Sequence, residues 1–133
     1  MLNGGPIAWC SRRQPCVATS TTEAEYIAAS DTSTEAVWIR RILPDLQQRH
    51  RGPITILCDN QSAIQLTKNP DQRQKTKHID VYYHYIREQQ GRGKIDLKYV
   101  QTSSQLAAIF TQPLPGPRFT HLRHSLRIVP VPA

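Results

Sequence analysis

Residues Ile54-Thr-Ile-Leu-Cys58, followed by Asp59-Asn60, decide the fold class. A compact apolar run rich in β-branched residues suits a buried strand. It stops at Asp59-Asn60, a polar tip that can start the next helix, expected from Gln61 to about Lys68. Upstream, Ser20-Thr-Thr-Glu23 has the form of a capping box, the serine accepting from first-turn amides and the glutamate reaching back. Behind it Ala24, Ile27, Ala28, Trp38 and Ile42 recur at helical spacing, so a long helix from about residue 21 is predicted. Pro44 ends or kinks it, because its ring blocks the preceding turn. Further upstream, Ile7-Ala-Trp9-Cys10-Ser11 reads as a short strand entered through the turn signal Asn3-Gly4-Gly5.

Downstream, a helix is expected from about Ile79 to Gln90, stopping near Gly91 and Gly93. Lys94 to Val100 alternates polar and apolar residues, the period of a strand with one buried face. Ser103 or Ser104 caps a last helix through Phe110, and Pro113, Pro115 and Pro117 separate it from a short helix around Phe119 to Leu126. Strand, helix, strand, helix, helix, strand, helix is an α/β order. Trp9 and Trp38 are expected as core anchors. At least one of Tyr82, Tyr83 and Tyr85 is expected in the core, the others being available to stack on bases, and Cys58 behaves as a small apolar residue.

The chain has 133 residues, enough for one compact domain. No apolar run approaches the roughly 18 residues of a membrane span. The first twenty residues lack a continuous apolar stretch, so neither a secretory signal nor membrane association is expected. Three cysteines, Cys10, Cys16 and Cys58, with no C-x-x-C pair, argue against a disulfide framework and a thiolate zinc site. A reduced intracellular compartment, cytoplasmic or nuclear, is the expectation.

Lys plus Arg is 17 against 10 for Asp plus Glu, a net charge of +7. Every carboxylate side chain lies between Glu23 and Asp96, while Lys98, Arg118, Arg123 and Arg127 lie beyond the last of them. A second basic group, Arg73, Lys75, Lys77 and His78, precedes the tyrosines and is the candidate nucleic-acid contact. Such charge fits a polyanionic partner through counterion release, or else a solvated basic face. His78-x-Asp80 with His84 reads as a structural motif at a helix start in preference to a metal site.

Four motifs then occur in order: Ser20-Thr-Thr-Glu-Ala-Glu-Tyr-Ile-Ala28, Cys58-Asp-Asn-Gln-Ser-Ala-Ile64, Thr76-Lys-His-Ile-Asp80 with Tyr83-His-Tyr-Ile-Arg-Glu88, and Leu106-Ala-Ala-Ile-Phe-Thr-Gln-Pro-Leu-Pro115. Together they resemble the ribonuclease H domain at the C-terminal end of the Pol polyprotein of copia-type LTR retrotransposons. The resemblance covers about residues 1–126 and leaves 127–133 as a tail expected to be disordered. It implies a domain that follows a reverse transcriptase and removes RNA from RNA–DNA hybrids. It also implies two Mg²⁺ ions held by converging carboxylates, usually four.

By the same resemblance the helical glutamate falls on Glu25 and the strand-end aspartate on Asp59, while Glu23 is left to the capping box. On the residues alone, the reading of Glu25 as a solvated helix charge and of Asp59 as a helix N-cap is preferred. Two departures matter. Ala108 stands where the family has its last aspartate, and no carboxylate side chain follows Asp96. Met1 aligns inside the family's second strand, so the first strand and its aspartate have no counterpart in this sequence.

The implied fold is therefore ribonuclease H-like with an incomplete mixed sheet, lacking the first strand and most of the second, packed with helices. An uncovered strand edge of that kind would invite a second copy or a strand-donating protein. With two of four ligands, hydrolysis is expected at background, leaving affinity for RNA–DNA hybrid or other nucleic acid. The alternative is a non-catalytic protein-interaction module co-opted from the element.

Overall fold

Ser20, in extended backbone with φ −152°, is the N-cap of a 22-residue helix α1 (Thr21–Ile42), and its hydroxyl accepts from the Glu23 amide at 3.1 Å. The other half of the expected capping box differs. The Glu23 carboxylate accepts from the Thr19 amide at 2.8 Å and from the Thr19 hydroxyl, one residue outside the cap. Arg40 and Arg41 in the last turn complement the negative end of the helix dipole, and the helix stops two residues before Pro44. The computed structural model describes residues 1, 5–15, 17–48, 50–68, 77–130 and 132, and of residues 77–79 the backbone alone.

The strand at the apolar run, β1 (Ile54–Cys58), leads into α2 (Gln61–Lys68); α3 (Lys77–Gly91) and β2 (Ile95–Tyr99) follow. β1 and β2 pair in parallel, with Ile54 opposite Ile95 and Ile56 opposite Leu97. Side chains two apart share a face, so Ile56, Cys58, Ile95 and Leu97 all turn into the core. Both faces of β1 were expected to be buried; instead Thr55 and Leu57 are exposed, Leu57 by 47%. Among the described residues the sheet has these two strands alone and is parallel throughout, not mixed.

Helix α1 buries a face of small residues and one aromatic: Tyr26, Ala29, Ser33, Ala36 and Val37. That narrow stripe leaves room for Tyr83 and Ile86 of α3, and Tyr26 stacks on Tyr83 with ring centroids 5.8 Å apart. Ile27 is buried as expected, but Ala28 and Trp38 are exposed, Trp38 by 56%. The stripe facing α3 is thus rotated from the one that apolar spacing alone picks out. Ser33, wholly buried, satisfies its hydroxyl on the Ala29 carbonyl at 2.6 Å. The Arg40 guanidinium donates to the carbonyls of Gly52 and, at 3.3 Å, Lys94, tying α1 to the residues that enter both strands.

All of these elements belong to one unit, Val17–Val100; a second unit comprises Met1–Cys16 and Gln101–Ala133. In the second, the last helix expected through Phe110 is broken into a 3₁₀ turn (Thr102–Ser104) and a one-turn α4 (Ala108–Thr111), with no side-chain cap on either. Helix α5 (Gly116–Ser125) begins with Pro117 in its first turn and buries Leu122. Residues 7–11 form no strand; Trp9 lies 67% exposed and stacks on Phe110 with centroids 6.2 Å apart. Both tryptophans expected in the core are therefore surface residues.

Candidate functional site

Glu25 projects from the second turn of α1, and Asp59 directly follows β1. Both are half-buried. The helix start at Asp59-Asn60 could recruit either side chain as its cap, and Asn60 takes that role: its Oδ1 accepts from the Ala63 amide at 3.1 Å. Glu23 is likewise held by Thr19. Local capping therefore uses the neighbours, Glu23 and Asn60, and leaves Glu25 and Asp59 out of it. Among the described residues neither of these two carboxylates forms a hydrogen bond or an ion pair.

In the fold, the charges of the two interact. Burial holds the Glu25 carboxyl above its ordinary 4.5, and the negative charge of Asp59 raises it further. The thiol of Cys58 reports the same neighbourhood. Burial pushes it above its ordinary 9.0, the Asn60 backbone draws it back, and the charges of Glu25 and Asp59 push it up again. A carboxylate pair at the C-terminal end of a strand is where open α/β sheets carry their chemistry. Two like charges in a partly desolvated place favour either a proton or a cation between them.

The remaining expected site residues fall elsewhere. Ala108 opens α4 in the second unit with its methyl group buried. Arg73 and Lys75 lie outside the described residues, and Lys77 and His78 begin the backbone of α3. Among the described residues no group of three or more His, Cys, Asp and Glu side chains could hold a metal ion. None of their helices is long and apolar enough to cross a membrane. Cys58 was read as a packing residue; its electrostatic link to the acidic pair was legible only as adjacency to Asp59.

No family model matches the chain, and no solved structure does. Curated proteins do. The chain is 44% identical over 118 residues to the retrovirus-related Pol polyprotein from transposon TNT 1-94 of Nicotiana tabacum, which covers 89% of this chain and 9% of that protein. It is 39% identical over 131 residues to the Pol polyprotein from transposon RE1 of Arabidopsis thaliana, covering 98% of this chain. To that from transposon RE2 of the same plant it is 38% identical, again over 131 residues. The chain spans about 9% of the length of each of these relatives. Its homologues are thus retrovirus-related Pol polyproteins of transposons, and it is a retrotransposon-derived segment.

Proposed function

We propose that this segment is the ribonuclease H-type domain of a copia-type Pol polyprotein, with Glu25 and Asp59 as two of its metal ligands, and that the 133 residues by themselves bind nucleic acid without cutting it. The observation that carries this is the convergence of Glu25 and Asp59, from α1 and the end of β1, with both local caps assigned to other side chains.

Mg²⁺ takes hard oxygen ligands and retains several waters, so the pair fits part of the sphere of one ion. It does not make a ligand set for two. A bound ion would polarise a phosphate oxygen and lower the charge between the two carboxylates. The chain's own contribution is to hold Glu25 partly desolvated beside Asp59, where a cation must compete with a proton for Glu25. Ala108, where the family has an aspartate, has no side-chain oxygen to offer as a further ligand. Loss of a single group that stabilises charge in a transition state costs about a hundredfold or more elsewhere.

The test is incubation of the chain with an RNA–DNA hybrid and Mg²⁺ or Mn²⁺. Hybrid binding that weakens with salt, without metal-dependent cleavage, is expected. In parallel, Mn²⁺ should broaden the amide resonances around Glu25 and Asp59, and Asp59→Asn should abolish the effect. Cleavage that depends on metal and on Asp59 would overturn the inactivity; broadening indifferent to Asp59→Asn would overturn the ligand assignment.

A further inference from the structure

The unit formed by Met1–Cys16 and Gln101–Ala133 carries five arginines, Arg12, Arg13, Arg118, Arg123 and Arg127, and no Asp or Glu side chain. It has no lysine either. Arginine's planar fork pairs with phosphate oxygens and also stacks on flat rings, which an ammonium does less well. Leu122 on α5 and Leu126 just after it turn inward, and His121 and His124 are exposed. Arg118 donates through Nη2 to the Thr102 carbonyl, which fixes the orientation of its guanidinium.

The same unit presents an aromatic surface. Trp9 stacks on Phe110 with an interplanar angle of 12° and a centroid separation of 6.2 Å, yet is 67% exposed, so the stack is offset and much of the indole is open to water. Arg12 and Arg13, both exposed, follow Trp9 by three and four residues. At about 3.3–3.6 Å per residue they lie within roughly 14 Å of it along the backbone. An open indole followed within one short stretch of chain by two exposed arginines suits an unpaired base and its phosphates.

We propose that this unit is a binding surface for single-stranded nucleic acid, with Trp9, backed by Phe110, as the base platform and the arginines as the phosphate contacts. The single strand is favoured over a duplex because the bases of a duplex already stack on one another and offer Trp9 no face except at an end. The surface stands on charge and stacking within its own unit and does not depend on the Glu25–Asp59 reading.

The experiment uses the whole chain and a labelled single-stranded oligonucleotide of about 16 nucleotides. Trp38→Phe leaves Trp9 as the single indole emitter. Saturable quenching of Trp9 is expected, with log K falling against log salt at a slope of about −3.5 for five phosphate contacts. The combined substitution Arg12→Gln, Arg13→Gln, Arg127→Gln should flatten that slope by about two. Trp9→Ala should weaken binding by about tenfold, and Trp9→Tyr should restore most of it.

Binding without a change in Trp9 emission, an unaltered slope in the triple variant, or tighter association with duplex or with acidic phospholipid vesicles would overturn the proposal. If substitution of Arg73, Lys75 and Lys77 by Gln abolished binding while the arginine triple did not, the affinity would belong to residues 73–78 and this inference would fail. Asp59→Asn should not alter the quenching, so the metal centre fails or survives separately.

Discussion

The two units of this chain are built on opposite terms. Val17–Val100 contains all ten carboxylate side chains and 12 of the 17 Lys and Arg residues, close to balance. It buries a continuous core from three helices and two strands. Met1–Cys16 with Gln101–Ala133 has five arginines against no acidic side chain, and its buried apolar residues are Ala108, Leu122 and Leu126. Of the net charge of +7, five is thus carried where the core is thinnest. The difference teaches that carboxylates and surplus positive charge have been separated along the chain: the carboxylates lie in the unit with a continuous, desolvating core, and the surplus arginines in the unit with little interior.

The sharpest way to break the contrast is to remove one wholly buried side chain from each region. Ile86→Ala and Leu122→Ala each delete a group that is 0% exposed. Chemical denaturation of Ile86→Ala should show a loss of about 2–5 kcal/mol, because the continuous core cannot collapse around the cavity. Leu122→Ala should cost less, near the lower end of that range, since a small core relaxes more readily. Its loss should register in the hydrogen exchange of Gly116–Ser125. Equal costs would show that the second unit is packed as well as the first.

A smaller effect is expected at the start of α1. Ser20→Ala removes the acceptor of the Glu23 amide and should cost about 1 kcal/mol. Because Glu23 is also anchored on Thr19, the helix should shorten by no more than its first turn. Far-ultraviolet circular dichroism with urea titration would check this, and loss of most of the helical signal would contradict it.

The smallest effect concerns the acidic pair. Glu25 is half-buried and holds its proton to a higher pH in the folded chain than in the unfolded one, first through burial and then through Asp59. The folded state therefore binds more protons between the ordinary 4.5 and the raised value, and stability falls as pH rises through that window. Glu25→Gln has no such loss, so its Tm should exceed that of the native chain by a few degrees above the window and approach it below. Asp59→Asn should recover the lesser part of the difference, because burial is the larger cause. A native chain that gains stability on Glu25→Gln only in acid would reverse the sign and refute the account.

Much of the first unit was legible in its residues. The start of α1, the stop before Pro44, the strand at Ile54–Cys58, the helix after it and the alternation in Lys94–Val100 all depend on local chemistry. The failures share one cause. Trp9 and Trp38 are large and apolar, but burial depends on what faces a position, and α1 turns its small residues to α3 while Trp38 points away. Leu57 is exposed because a two-stranded sheet buries the face of Ile56 and Cys58 against the helices and not the other. The helix expected up to Phe110 found no cap at Ser103 or Ser104 and survives as two short turns.

For the candidate site, the residue types Glu25 and Asp59 stood out through a motif, but each had a plausible local use as an exposed charge or a cap. Residue order alone determined the α/β character, the excess of positive charge and its displacement from the carboxylates. Only the tertiary structure decided that Asn60 caps α2, that half-buried Glu25 feels the charge of Asp59, and that the Trp9 indole stacks on Phe110 while staying open to water. The reason is physical. Periodicity and capping act within a few residues, whereas electrostatic coupling and burial depend on groups that the chain separates by dozens of positions and packing brings together.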